Sequence, residues 1–377
     1  MNRDVAIVGV GVSWTGPVTP GRSYKELMYE AAVRAYDDAG IDPRKDVDAF
    51  VTAAEDFWEG TSIFDEYVPD QLGGALRPVY TVANDGIAAL ACAVMKIRAG
   101  IARVVVVEAH SKHSDITTPE HILHFAFDPI YNRPLGAHPY HVAGLEMSRY
   151  LHDSGNTRRQ CALVVEKNRR NALANPLASY ADRVEAEQVV DSAPLFDPLR
   201  ELDASRPADG AFVLVVAAPD RVGDRRRAVW VEGIGWCSGS PSLESRNWGE
   251  ADYARRAAEQ AYRQAGIRNP AEELDLLEVD DTFSYKELQH LDALLGCPPG
   301  QAGRWLEAGV TARGGALPVN VSGGSLGMGD FVEAAGLARV VELVHQLRGE
   351  AGQRQVVGAR RGLAQSWRGV PTTSGAV

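Results

Sequence analysis

The chain opens on an apolar run, Val5-Ala6-Ile7-Val8-Gly9-Val10, with the length and β-branched content of a buried strand. Ser23-Tyr24-Lys25-Glu26 follows as a Ser-x-x-Glu capping box. Apolar residues then fall at helical spacing, at Leu27, Ala31, Ala32, Ala35, Tyr36 and Ala39, with Gly40 as the stop. This strand–helix unit recurs. Ala257–Ile267 repeats Ala31–Ile41 with seven of the eleven positions identical, and the flanking pieces keep the same order. Val5–Val10 corresponds to Ala228–Ile234, and Val47–Val51 to Leu274–Val279. Each half then turns into a further helix, expected over Ile87–Ala99 and over Phe331–Leu347. Short apolar runs follow, Arg103–Val107 and Gln355–Val357, of the kind buried in a sheet covered on both faces. Such alternation describes an α/β layer fold.

Between the halves, Glu108 to about Asp203 carries breaks at Pro119, Pro129, Pro134 and Pro139 among mixed helical stretches, which reads as an inserted loop region. The resulting division is 1–107 for the first part of the N-terminal half, 108–203 for the insertion, 204–227 for the end of that half and 228–377 for the C-terminal half. The alternative is a coincidental repeat with the middle third as a domain of its own.

Composition narrows the function classes. A chain of 377 residues, 45% hydrophobic and 24% charged, can bury a large core. Its net charge of -11 argues against a nucleic-acid partner. Apolar runs such as Val104–Val107 are far too short to span a membrane, and Met1-Asn2-Arg3-Asp4 has no signal character, so the expectation is a cytoplasmic protein. Cys92, Cys161, Cys237 and Cys297 form no CxxC and read as reduced packing residues. Seven of the nine histidines lie between His110 and His152, in the pairs His110/His113, His121/His124 and His138/His141 with His152 beyond them. Prolines interrupt the segment and no metal motif accompanies it, so no metal is assigned. His124 or His141 is the candidate to reach a pocket as a general base.

Glu278-Val279-Asp280-Asp281-Thr282-Phe283-Ser284, Asn320-Val321-Ser322-Gly323-Gly324 and Ser366-Trp367-Arg368-Gly369-Val370-Pro371 resemble the thiolase superfamily, closest to its sterol-carrier-type and lipid-transfer-type branch. The resemblance covers essentially the whole chain. It implies a duplicated βαβαβαββ unit in a five-layer sandwich, usually dimeric. It also shows departures at four positions. The nucleophilic cysteine, three residues before a helix-opening glycine, falls on Ala83 in Val82-Ala83-Asn84-Asp85-Gly86. Asp280 stands where the family has Asn or His, Gly329-Asp330-Phe331 replaces Gly-His-Pro, and Ser366-Trp367-Arg368-Gly369 replaces the last Cys-x-Gly.

What the resemblance then implies is chemistry on an acyl-CoA without an acyl-enzyme. The lipid-transfer-type steroid side-chain aldolases are such enzymes, using tyrosines for proton transfer and an OB-fold, zinc-ribbon-type partner subunit. The expectation is cofactor-free retro-aldol cleavage of a branched β-hydroxyacyl-CoA, as in steroid degradation, with coenzyme A present only as part of the substrate. Tyr285, Asp280 and Asp330 are the catalytic candidates beside the histidines. Ala83, Asn84, Asp85, Gly323, Gly324, Trp367 and Gly369 are the substrate-binding set. The bland readings stay open: Tyr285 as packing, Asp330 and Asp85 or Asn84 as helix caps. Two other functions also stay open, a non-catalytic subunit of an acyl-CoA-processing complex and an acyltransferase with an atypical site.

Overall fold

The computed structural model describes residues 4–55, 63–223, 227–240, 242–369 and 374–376. Val370 and Pro371 of the C-terminal motif, and Met1-Asn2-Arg3, lie outside them. The first long helix, Tyr24–Ala39, begins at the Ser23/Glu26 capping box and ends at Gly40, whose φ of 66° needs glycine. Its repeat, Asp252–Ala265, ends at Gly266 with φ 72°. The two ends close alike: Ile41 N–H donates to the Tyr36 carbonyl at 3.1 Å and Ile267 N–H to the Tyr262 carbonyl at 3.0 Å.

The strands are β1 (Ala6–Val12), β2 (Ala49–Ala53), β3 (Val79–Val82), β4 (Val104–Ser111), β5 (Pro194–Phe196), β6 (Leu199–Arg200), β7 (Gly210–Ala217), β8 (Val229–Trp230), β9 (Trp236–Ser238), β10 (Leu276–Glu278), β11 (Gly362–Ala364), β12 (Ser366–Arg368) and β13 (Ser374–Ala376). The first sheet has the order β3-β2-β4-β7-β1-β8. In it β2 runs parallel to β3 and β4, and β7 antiparallel to β4 and β1. The second half repeats the scheme in shorter pieces: Val319 bridges Leu277, β10 pairs β11 in parallel, and β12, β13 and β9 are antiparallel.

Each half presses its repeated helix onto a Gly-x-Gly stretch, in β1 in the first half and in the connection between β8 and β9 in the second. A Cβ on Gly11 would lie 2.0 Å from the Ala31 carbonyl oxygen, and one on Gly235 would lie 2.1 Å from that of Ala257. Gly9 meets Ala35 and Gly233 meets Ala261 in the same way. The paired halves then bury two helices between the sheets. Ile87, Leu90 and Val94 from Gly86–Arg98, and Leu337, Val341 and Val344 from Ala335–Arg348, share one core with Val105, Leu214 and Leu276. Tyr24–Ala39 covers the outer face of the first sheet. Asp252–Ala265, Ser284–Leu294 and Arg158–Ala172 cover that of the second. The result is the five-layer sandwich. The inserted region contributes two 15-residue helices, Tyr140–Ser154 and Arg158–Ala172, both packed into the second core.

Three expectations shift. Gln355–Val357 is not a strand, and Val357 is exposed. The Arg354 guanidinium is buried against Glu342 at 2.8 Å and the Gln355 amide bonds to Gln346, so this stretch turns back on its helix and the strand forms later, as β11. Phe331–Leu347 divides into a short turn, Val332–Ala334, and the helix Ala335–Arg348. Of Ala228–Ile234 only Val229–Trp230 pairs in a sheet. No described helix is long and apolar enough to cross a membrane.

Replacing glycine by alanine in a strand ordinarily helps by restricting the unfolded chain. At Gly11 and Gly235 the added methyl meets helix backbone instead, so Gly11→Ala and Gly235→Ala should each lower stability by about 1–3 kcal/mol in urea unfolding.

Candidate active site

A cavity of about 270 Å³ opens where the second-half loops meet the inserted region. Asp280 reaches its wall from the turn after β10. The Gln365 side-chain oxygen accepts its N–H at 2.8 Å, and its carboxylate accepts from Thr282 N–H at 3.1 Å and from the Arg339 guanidinium at 2.9 Å. Burial raises its pKa, Arg339 pulls it back down and the Asp330 charge pushes it up again. Asp330 lies on the same wall, fixed by its backbone: its N–H donates to the Arg206 carbonyl at 2.8 Å and its own carbonyl accepts from Ala208 at 2.9 Å. Its side chain also accepts from Val332 N–H at 2.9 Å, so it caps that turn while facing the cavity.

The inserted region supplies the opposite wall. Lys112, buried against Asp209 at 2.8 Å, fixes the turn that carries His113. Burial lowers the His113 pKa, against the pull of the Asp330 and Asp209 charges. Tyr140 begins its helix by donating its N–H to Nδ1 of His138 at 3.0 Å, which leaves the His138 proton on Nε2, facing Glu120 at 3.2 Å. The Tyr140 ring stands edge-on to Phe283 at 5.2 Å. Burial first, then the charges of Asp330 and Glu120, push its pKa up to about 12. Its hydroxyl has no hydrogen-bond partner among the described residues. Trp367 lies over the buried Lys286 ammonium at 4.3 Å. Arg368 sits between Glu55 and Glu333, each at 3.0 Å; burial disfavours its charge, but these carboxylates hold it above the ordinary guanidinium range.

Of the residues singled out in the sequence, Asp280, Asp330, Trp367 and Gly369 therefore share one cavity. Tyr285, His124 and His141 do not line it. Tyr285 is fully buried, stacks on Phe283 and donates its hydroxyl to Glu146 at 2.8 Å. His124 turns to the Arg133 carbonyl at 3.1 Å, and His141 is exposed beside Phe196. Ala83, Asn84 and Asp85 are off the wall as well. Asn84 accepts the Asp85 N–H at 2.7 Å, while Asp85 caps Gly86–Arg98 through Ile87 N–H at 2.8 Å and accepts from Gly336 N–H at 2.9 Å. Gly323 packs on Ala172, and a Cβ on Gly324 would lie 2.1 Å from the Asp281 carboxylate, so this glycine loop wraps a carboxylate of the protein itself.

Behind the wall lies a carboxyl cluster around Arg339. Asp281 accepts from Ser325 N–H at 2.6 Å, Leu326 N–H at 3.2 Å and Asn168 at 2.7 Å. Burial nevertheless raises its pKa to about 7 against the pull of Arg339. Glu278, bonded to Ser322, is pushed up to about 8 by burial and by Glu342. The cavity wall carries phenol, imidazole and carboxyl groups and, among the described residues, no thiol. Cys161 is buried in Arg158–Ala172, where burial holds its thiol well above the ordinary range.

Residues 238–377 match a family described as thiolase C-terminal domain-like. Over 99% of this chain and 98% of the relative, the sequence is 31% identical to an acetyl-CoA acetyltransferase of Methanothermobacter thermautotrophicus. It is 30% identical to human sterol carrier protein 2 over 96% of this chain and 69% of that protein. The chain belongs to the thiolase superfamily, in its sterol-carrier-type branch. Among solved structures the Ltp2-ChsH2(DUF35) aldolase superposes with TM-score 0.84 at 26% identity, covering 99% of this chain and 97% of that one. Human mitochondrial 3-ketoacyl-CoA thiolase shares the fold, with TM-score 0.73 at 16% identity over 99% and 98%.

Within this thiolase-like framework the residues that sequence reasoning passed over are Tyr140, His113, His138 and Arg368. His113 and His138 stand in the His-x-x-His pairs, and Arg368 directly follows Trp367; Tyr140 carried no signal of its own.

Two outcomes follow for the buried charges. Arg339→Met strands Asp280 and Asp281 without their cation and should cost about 3–5 kcal/mol in urea unfolding. Glu278 has a folded pKa above its unfolded value, so its contribution to stability is complete below about pH 4.5 and is lost as the pH rises through about 8. The urea midpoint should fall between pH 5 and pH 8.5, and fall less steeply in Glu278→Gln.

Proposed function

We propose that this chain is a carbon–carbon lyase that cleaves a branched β-hydroxyacyl-CoA by a retro-aldol reaction, of the steroid-side-chain type. The observation that carries the reading is the cavity wall: Asp280, Asp330, His113 and Tyr140 converge there, and the position of the family nucleophile is occupied by Ala83, whose methyl group accepts no acyl chain. The aldolase among the structural neighbours supports it.

The reaction needs a base, an oxyanion donor and a proton returned to carbon. Asp330, held by its backbone and oriented through Val332, takes the proton of the β-hydroxyl. The O–H electron pair becomes the C=O of the departing ketone, the Cα–Cβ bond breaks, and its electrons pass into the thioester enolate. Tyr140, a phenol whose raised pKa keeps it protonated at neutral pH, donates to the enolate oxygen. Asp330 then returns its proton to Cα. Protons and electrons balance within the substrate and these two side chains, with no cofactor. Asp280, paired with Arg339 at 2.9 Å, stands on the same wall as Asp330.

The relative named acetyl-CoA acetyltransferase favours acyl transfer as the second reading. The polar wall speaks for retained chemistry rather than a decayed, non-catalytic subunit. The working assembly we propose is a cytoplasmic homodimer, for which the one-sided edge strand β3 is available, with an OB-fold partner like the DUF35 component named in the aldolase neighbour.

Purified protein, with a DUF35-type subunit if required, should convert a tertiary β-hydroxyacyl-CoA into ketone and short acyl-CoA. Asp330→Asn and Tyr140→Phe should each lower kcat by about 10²–10⁴-fold. A 3-ketoacyl-CoA with free CoA should give no thiolysis. Thiolysis without cleavage would establish the acyltransferase reading; neither reaction across a panel of thioesters would establish the non-catalytic one.

A further inference from the structure

A buried guanidinium keeps its proton, so it needs acceptors around it. Arg339 and Arg354 meet that need with carboxylates, at 2.9 and 2.8 Å. Arg169, near the end of Arg158–Ala172, is just as deeply placed at 3% exposure, yet among the described residues its guanidinium makes neither a hydrogen bond nor an ion pair. Its Nε is sealed, whereas its two terminal nitrogens are open to solvent. Arg246 is unpaired too, but all three of its guanidinium nitrogens are sealed, so nothing from outside reaches them. Of these two arginines, Arg169 is the one that can take a ligand.

A second cation acts on it. The helical turn 168–172 packs on Gly327, where a Cβ would lie 2.6 Å from that of Ala172, and Tyr180 N–H donates to the Gly327 carbonyl at 3.0 Å. The Tyr180 ring carries the Arg206 guanidinium on its face at 4.3 Å. Arg206 is exposed, and among the described residues no carboxylate pairs with it. Burial first, and next the Arg206 charge, lower the Arg169 pKa. Asp182 opposes them from an exposed position, where it accepts the Arg183 N–H at 2.7 Å and pairs with neither arginine. Like charges without a counter-ion repel, and an anion between them reverses the sign of the interaction. The Tyr180–Arg206 stack also adjoins the polar cavity: the Arg206 carbonyl accepts the Asp330 N–H at 2.8 Å, and the Tyr180 hydroxyl donates to the Pro207 carbonyl at 2.6 Å.

We propose that Arg169 and Arg206 form an anion site that takes a phosphoryl group. Two guanidinium forks supply the charge and the donors that a tetrahedral dianion uses, more than one carboxylate can accept. The group arrives from solvent, because Arg206 is exposed and neither arginine lines the cavity of about 270 Å³. Two sources carry this chemistry, free inorganic phosphate and the phosphates of coenzyme A; the second rests on the acyl-CoA reading above, the first does not.

The test is calorimetric titration of the 377-residue chain with inorganic phosphate at low ionic strength. Arg169→Met and Arg206→Gln should each weaken phosphate binding by about 10–100-fold, the loss expected for charge-assisted hydrogen bonds. The Arg206 side chain is exposed, so its variant keeps the test open should the buried substitution impair folding. Arg170→Gln, a neighbour on the same helix that pairs with Glu166 at 3.4 Å, should leave phosphate binding unchanged. Coenzyme A is then titrated in competition. Displacement of phosphate, with the same loss of coenzyme affinity in Arg206→Gln, identifies the coenzyme as the source; no displacement identifies free phosphate. Absence of phosphate binding at millimolar concentration would overturn the proposal, and so would binding that persists undiminished in Arg206→Gln.

Discussion

The guanidinium of Arg339 is the charge around which the second half is arranged. It lies buried, donating to Asp280 at 2.9 Å and to Ser325 at 2.8 Å, with Asp281 at 3.7 Å. A carboxylate enclosed by protein must find a cation or several N–H donors, or else keep its proton. Both solutions are used. Asp85 accepts from the first turns of two helices, Asp281 collects the N–H groups of the glycine loop, and Glu278 and Asp281 hold pKa values near neutrality. These demands set the path of the loop Ser322–Gly329 and the docking of the two central helices, and the cavity inherits a polar wall from them.

That wall is assembled from distant stretches, each fixed by backbone rather than by a long flexible side chain. Asp330 is bonded into the segment before β7, His113 is carried on a turn clamped through Asp209, and Tyr140 starts a helix. Groups held in this way are preorganised, which is what proton transfer at a fixed carbon requires. The thiolase framework persists, and the cavity it encloses carries phenol, imidazole and carboxyl groups.

The two halves share one layout. Gly-x-Gly stretches, alanine-faced helices and left-handed glycine caps recur at matching places.

Periodicity, capping residues and the near-identity of Ala31–Ile41 with Ala257–Ile267 were enough to read the duplicated α/β layers, because those signals are local and each helix end is decided by its own few residues. The Gly-x-Gly pairs, Gly9/Gly11 and Gly233/Gly235, show their purpose only when the helix carbonyls are seen against them. The motif segments located Asp280, Asp330, Trp367 and Gly369, whose positions follow from short turns. Tyr285 and Tyr140 were decided by the tertiary structure alone. The direction of a side chain at a helix start depends on what packs against it, and there Glu146 draws the first inward while Phe283 holds the second at the cavity. The same holds for charge: a row of aspartates is visible in the sequence, but which of them keeps a proton depends on burial and on the reach of one arginine.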